Sequence, residues 1–410
     1  MAPNEDGPAS FGRRKVRPRA CVCDSKAHTR MFLMDTLDEL GFLTCECPEV
    51  DDLRGILDKW FPDVIVVGSS LGGTLAGEIL KALAAARFDG KVLLIGSDRS
   101  LEVTALRDLS EKLAIAMLPA LSTPFASEGL RKSLSPLMPL EAVQPPAIDF
   151  TEALDAGWLE LWYQPKINAE ALRVSGAEAL IRLRHPTWGI VSPAHFLPDK
   201  NDPSCRALSE YVIRQALADW RSFAIEYGHV EIAINLPISF LSNPQCLRFL
   251  CNQLPNDTTF EGLIVEIDAS DIILQLDVAR QIARQLRFHK IGVSIDDIGA
   301  EWPSLLGMDD FSFIELKVDR EFVAGCSDDR LRRYVCQCIF DLADSYGART
   351  VAEGVETAAD FQCVRSMGVD LVQGFLLAKP MSSRKFARNL RVAPLGRWDL
   401  PHSDGSRQFK

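Results

Sequence analysis

The chain reads as an α/β protein of two domains, a doubly wound parallel sheet followed by a TIM-like (β/α)8 barrel. Three observations predict this. Its 410 residues exceed what one ordinary core accommodates. On the N-terminal side, five short apolar runs alternate with helical patterns, as in a parallel sheet covered on both faces. Beyond a proline-rich stretch, strand-like runs recur eight times over about 240 residues, with amphipathic segments between many of them, which is the size and rhythm of a closed barrel.

Taken in order, residues 1–18 form a Pro/Gly-containing leader. Its basic run, Arg13, Arg14, Lys15 and Arg17 continuing to Arg19, reads as a solvated tail. Residues 19–134 carry the first domain. Candidate strands lie at 20–23, 43–47, 64–67, 92–95 and 114–118, and candidate helices at 29–40, 52–60, 77–86 and 101–112. The stretch 135–146 contains Pro136, Pro139, Pro145 and Pro146, cannot continue a helix, and reads as a linker. The barrel is expected over 147–388, with strands at 159–166, 174–181, 230–235, 263–267, 293–297, 313–318, 349–352 and 371–375. Amphipathic helices are expected at 205–227, 278–288, 331–346 and 358–367, and a tail at 389–410.

Composition narrows the function. A net charge of −11 argues against general nucleic-acid coating, so no DNA partner is expected. No apolar stretch reaches the length of a membrane span, and no apolar run follows the first charges as in a signal peptide; a cytoplasmic protein without membrane contact is expected. Eleven cysteines with no CxxC pair give poor support to a disulfide framework or a structural zinc site. The CxC pairs Cys21/Cys23 and Cys45/Cys47 read as small buried hydrophobes on two runs that could be neighbouring strands.

Chemistry concentrates at the ends of the barrel runs. Asp296 and Asp297 stand together after Val293-Ser294-Ile295. Adjacent carboxylates repel and are costly to desolvate unless a cation or a turn accommodates them. At or near the other run ends stand Gln164, Glu178, Asn235, Glu266, Lys317, Glu353 and Gln373. Each alone has a plain structural explanation, but barrels place their chemistry where strands exit. Five acids with an asparagine and a lysine fit a two-metal phosphodiester site. Carboxylates supply hard oxygen ligands, an amide adds a neutral one, and a lysine offsets developing charge.

The motifs around these positions carry a family resemblance. Tyr163-Gln164-Pro165-Lys166, Gly176-Ala177-Glu178-Ala179-Leu180-Ile181-Arg182 and Ala233-Ile234-Asn235-Leu236 come first. Val265-Glu266-Ile267, Asp296-Asp297-Ile298-Gly299 and Leu316-Lys317-Val318-Asp319 follow, then Ala352-Glu353-Gly354-Val355-Glu356-Thr357 and Val372-Gln373-Gly374-Phe375. The set resembles an EAL domain, the phosphodiesterase domain for the bacterial second messenger cyclic di-GMP. The resemblance implies hydrolysis of cyclic di-GMP to linear pGpG with two divalent ions, Mg²⁺ or Mn²⁺. It implies Glu178, Asn235, Glu266 and Asp296 as ligands of one ion, and Asp296 with Asp297 for the second. Lys317 and Glu353 would handle the water and its proton, and Gln373 would position the water. Arg182 and the backbone near Leu180 would contact the substrate, Gln164 would line the floor, and Glu356 would support the site. Dimerisation through the barrel is implied as well.

Two departures bear on rate. The family's loop after the paired aspartates runs approximately DDFGTGYSSL; here Ala300, Glu301, Trp302 and Pro303 alter it, and the family's anchoring Glu is Ala269. The rim segment after Pro198 is Asp199-Lys200-Asn201-Asp202-Pro203 rather than an acidic stretch. A slow or regulated phosphodiesterase is expected, with a cyclic di-GMP receptor or an inactive signalling scaffold as the alternatives. The first domain resembles a response-regulator receiver through Cys23-Asp24, Phe61-Pro62-Asp63 and Thr123-Pro124-Phe125. Gly68 stands where the phospho-accepting Asp belongs, which implies a pseudo-receiver that contacts a signalling partner, with Asp24 as a turn residue.

Overall fold

The computed structural model describes residues 18–68, 72–96, 101–122, 127–137, 147–198, 202–227, 230–256, 260, 262–307 and 311–392. The basic run before Arg19, the Thr123-Pro124-Phe125 landmark, linker residues 138–146, rim residues 199–201 and tail residues 393–410 lie outside them. Two compact units divide the chain: Met1–Trp158 with Leu183–Phe196, and Leu159–Arg182 with Leu197–Lys410.

In the first unit, β1 (Arg19–Cys23), β2 (Leu43–Cys47), β3 (Val64–Val67), β4 (Lys91–Leu94) and β5 (Ala116–Met117) pair in the order β2-β1-β3-β4-β5. The printed pairings are all parallel, so this is a doubly wound, flavodoxin-like sheet. The near-continuous apolar runs follow from burial of both faces, one packed around Cys21, Ile65 and Leu80, the other around Val22, Leu37 and Val66. β5 is shorter than the run 114–118 because Ala114 adopts φ +55 and still belongs to the preceding turn. A Cβ built at Gly68 would fall 2.0 Å from Asp24 Oδ2, so a side chain there would have to displace Asp24. Asp24 itself is fully buried, and its Oδ1 accepts the Lys26 N–H at 2.8 Å, as a turn residue does.

The second sheet closes on itself. Its members are β6 (Leu159–Asn168), β7 (Val174–His185), β8 (Gly189–Val191), β9 (Glu231–Asn235), β10 (Leu263–Asp268) and β11 (Ile291–Ile298). β12 (Glu315–Val318), β13 (Arg349–Ala352), β14 (Leu371–Val372) and β15 (Met381–Ser382) complete it. The order β6-β14-β13-β12-β11-β10-β9-β7 is joined into a barrel by β6–β7 pairing, while β8 and β15 are short additions. Strands β7 and β9 to β14 run parallel, but β6 is antiparallel to β14. The reason is local. Asn168 and Arg173 close a tight hairpin between β6 and β7, and a parallel crossover needs a dozen residues or more. The helix Ser204–Tyr227 and its successors cover the outside, where Ala177, Ile234, Val265 and Val293 face their apolar stripes.

Candidate active site

Alternation along β7 sends Ala177 and Ala179 outward into the helix-facing core and leaves Glu178 on the opposite, inner face, with Leu180 and Arg182 at the same parity. Glu266 on β10, Asp296 on β11 and Lys317 on β12 join Glu178 inside, and all four are buried. Lys317 is the hub. Its Nζ lies 2.6 Å from Glu353 Oε1, 2.9 Å from Glu266 Oε2, 2.9 Å from Asp296 Oδ1 and 3.4 Å from Glu178 Oε2. Burial opposes its charge, yet Asp296, Glu178, Glu266 and Glu353 hold its pKa well above the ordinary lysine value. The same burial raises Glu353 far above the usual carboxylate range and also raises Asp296 and Glu266. Such displaced carboxylates are the signature of a site built to hold further positive charge.

The amides complete the ring. Asn235, at the end of β9, donates Nδ2 to Glu178 Oε1 at 2.8 Å. Gln373, just past β14, donates Nε2 to Glu178 Oε2 at 2.7 Å and to Gln164 Oε1 at 3.2 Å. Its own Oε1 is buried with no partner, an acceptor aimed into the site and unused by the protein.

Asp297 is brought in by the backbone. Consecutive strand residues point to opposite faces, so Asp296 and Asp297 should diverge. Instead Asp297 adopts φ +53, and the β11–β12 register shifts between Ile295 and Ile298. This bulge gathers ligand oxygens of Asp296, Asp297 and Glu353 within 4.8 Å of one another. Glu178, Glu266 and Asp296 form a second such group. Asp296 belongs to both, so the donors suit two hard divalent cations sharing one carboxylate. Burial and the neighbouring Asp296 push the Asp297 carboxyl up to about 6.

Three of the sequence-derived residues lie apart from this hub. Leu180 is half-buried on β7. Arg182 is half-buried and donates Nη1 to Ile181 O at 2.8 Å. Glu356 is exposed and pairs with Arg320 at 3.4 Å. Gln164 sits mid-strand rather than at a strand exit, because β6 runs backwards. Two residues on, Lys166 occupies the same face of that strand deeper in the barrel.

Lys166 was not anticipated as part of the site. Its Nζ lies 2.8 Å from Glu266 Oε1 and 2.6 Å from Glu315 Oε1. Glu315 also pairs with Arg349 at 2.8 Å, and Arg349 with Glu231 at 2.7 Å. Glu231, Glu315 and Arg349 are the first residues of β9, β12 and β13, so this chain of charges closes the barrel beneath the ligand carboxylates. The signal was the two-residue spacing of Gln164 and Lys166.

The altered loop is closed by its own atoms. Glu301 Oε1 accepts the Gly299 N–H at 3.0 Å, and Trp302–Leu305 form a 3-10 turn. Trp302 packs partly buried against the barrel core. Ala269 is fully buried, and Asp268 caps the following helix through Ser270 N–H at 2.8 Å.

Known proteins are similar to this chain over the barrel. A family model for the EAL domain matches residues 148–380, more than half of the chain. The bifunctional diguanylate cyclase/cyclic di-GMP phosphodiesterase MucR of Pseudomonas aeruginosa is 32% identical over 241 residues, covering 58% of this chain and 35% of that protein. The cyclic di-GMP phosphodiesterase PA2567 of the same organism is 30% identical over 223 residues, covering 54% and 38%. The chain thus spans about a third of the length of the curated relatives it matches. A solved structure titled PaMucR phosphodiesterase, c-di-GMP complex, aligns with TM-score 0.54 and 31% identity, covering 58% of this chain and 97% of that one. With a family model spanning most of the barrel and the family's acid, amide and lysine positions gathered in one site, the chain belongs to the EAL-domain family.

Proposed function

We propose that this chain hydrolyses one phosphodiester of cyclic di-GMP, giving linear pGpG. The observation that carries the reading is Asp296, common to both carboxylate groups, with Lys317 in contact with it and with Glu353. Two divalent ions, Mg²⁺ or Mn²⁺, suit these donors: Glu178, Asn235, Glu266 and Asp296 for one, Asp296 and Asp297 for the other. Bound there, they would polarise the scissile phosphate and lower the pKa of the attacking water.

The side chains supply the remainder. Gln373 offers its unpartnered Oε1 to a water hydrogen. Glu353, with its raised pKa, accepts and later releases a proton. Lys317 offsets negative charge developing on the phosphoryl oxygens. Arg182 binds a substrate phosphate beside Leu180, Gln164 lines the floor, and Glu356 supports the rim. In this reading residues 147–388 are the catalytic module, which pairs with a second copy through the barrel. Residues 19–134 are a pseudo-receiver for a signalling partner, joined by the linker 135–146. No described helix is long and apolar enough to cross a membrane; we place the protein in the cytoplasm.

A second reading, a receptor that binds cyclic di-GMP without turnover, is favoured by Ala269 and the self-closed loop around Glu301. One experiment separates them. Protein with Mn²⁺ or Mg²⁺ is incubated with cyclic di-GMP and pGpG is followed by chromatography, with calorimetry in Ca²⁺ alongside. Product that disappears in Glu178→Ala supports the enzyme. Tight binding without product supports the receptor, and absence of both refutes the two together.

A further inference from the structure

A second ligand cluster lies in the first unit, unrelated to the carboxylates. β1 and β2 pair in parallel with Cys21 opposite Cys45 and Cys23 opposite Cys47. Alternation then puts four thiols on one face, two per strand. Cys21, Cys23 and Cys47 are buried, and Cys45 stands half-buried at their edge. Ligand sulfurs of Cys21, Cys23 and Cys47 lie within 4.8 Å of one another. The Cys47 thiol donates to Glu49 O at 3.0 Å. Among the described residues, this is the one candidate ligand group made of thiols alone.

Single buried cysteines pack as small hydrophobes. Packing alone gives no reason for a two-by-two register in which three of the sulfurs, those of Cys21, Cys23 and Cys47, converge. Convergence is what a soft metal requires. Three thiolates suit Cu⁺, and a fourth from Cys45 completes a tetrahedral site for Zn²⁺. The half-buried Cys45 gives an entry path from solvent.

We propose that Cys21, Cys23, Cys45 and Cys47 form a site for a thiophilic d¹⁰ metal ion, Zn²⁺ or Cu⁺, whose occupancy stiffens the β1–β2 edge of the first sheet. Each thiol that binds releases its proton to solvent, so uptake lowers the pH of a weakly buffered sample.

The test uses the full chain, reduced and stripped with chelator, then titrated with Co²⁺ as a Zn²⁺ probe and separately with Cu⁺ against a competing chelator. Thiolate-to-cobalt charge-transfer absorption is the readout, because the carboxylate site in the barrel gives none. One equivalent per chain is expected, with fewer of the eleven cysteines open to thiol reagents afterwards. Cys21→Ser with Cys47→Ser abolishes the band, whereas Cys336→Ser with Cys363→Ser leaves it unchanged. Should the first pair fail to fold, Cys45→Ser at the half-buried edge weakens Co²⁺ at least about tenfold while leaving three ligands for Cu⁺. Absence of uptake of both ions overturns the proposal, as does a band that survives in Cys21→Ser with Cys47→Ser. A protein isolated without reductant that lacks two free thiols and takes up no metal has a cross-strand disulfide instead, which also overturns it.

Discussion

Lys166→Met tests whether the charges beneath the site support the barrel. The substitution keeps most of the side-chain volume and removes a cation that lies 2.8 Å from Glu266 and 2.6 Å from Glu315. Burial opposes ionisation of Glu315, but Lys166 and Arg349 hold its carboxyl down to about 2, against an ordinary 4.5. That depression is the joint effect of Lys166, Arg349 and Lys317, and Lys166 is the largest of the three. Stripping one partner from a buried ion pair costs about 3–5 kcal/mol. We expect Lys166→Met to destabilise the barrel by about 3 kcal/mol at pH 7, the low end of that range because Arg349 still faces Glu315. At roughly 2–4 °C per kcal/mol, the Tm falls by about 6–12 °C. The pH dependence has a definite sign. Glu315 has a depressed folded pKa, so its contribution is complete above 4.5 and fades as pH falls toward 2. The gap between wild type and variant therefore holds from pH 7 to 5 and begins to close below 4.5. Adding Glu315→Gln removes the stranded charge and recovers at least about 1 kcal/mol. Urea and thermal unfolding followed by circular dichroism measure all three proteins. A loss below about 1 kcal/mol, or a gap that widens in acid, refutes the argument.

Other outcomes follow from the same geometry. Glu353→Gln keeps the shape but cannot take a proton, so pGpG formation drops by about 10²-fold or more while Ca²⁺-supported binding of cyclic di-GMP persists; equal turnover would remove Glu353 from proton handling. In chelator, burial and Asp296 raise the Asp297 carboxyl to about 6, so its ionised form burdens the fold. Stability should rise as pH falls from about 7 to 5, and Asp297→Asn should lose that rise, as thermal melts would show. Gly68→Ala drives a Cβ to 2.0 Å from Asp24 Oδ2 and costs about 1–3 kcal/mol, with Asp24→Ala recovering part of it in urea unfolding. Restoring Ala269→Glu, Ala300→Thr and Glu301→Gly together raises turnover about tenfold or more if the loop limits rate; unchanged kcat assigns the limit elsewhere.

Much of this was legible in the sequence because strand periodicity and site chemistry coincide. The runs 43–47, 64–67 and 349–352 match β2, β3 and β13 residue for residue; Val64–Val67 is wholly apolar between Asp63 and Gly68, while the other two mix Thr44 and Glu46, or Arg349 and Thr350, with apolar residues. Glu178, Asn235, Glu266, Asp296, Lys317, Glu353 and Gln373 fall where strand exits bring them together. What escaped is set by the backbone or by three dimensions. The φ of Asp297 leaves no compositional trace, because Asp tolerates the left-handed region at small cost. Glu315 lies inside the run 313–318, and nothing beside it in the chain signals the Lys166 and Arg349 cations that face it. The reversal of β6 was readable in principle, since seven residues between the runs 159–166 and 174–181 cannot carry a parallel crossover. The CxC pairs showed alternation but not register, and register is what brings the sulfurs of Cys21, Cys23 and Cys47 together.

The reversed first strand also decides where the barrel is grasped. In a barrel of eight parallel strands the chain would enter at the closed end, far from the chemistry. Here Leu159 begins β6 at the end where the other strands finish, beside their ligand-bearing exits. Any pull, twist or ordering passed along the polypeptide into Leu159 is therefore delivered at the mouth of the site. A barrel wired in this way places its first residue next to its working parts.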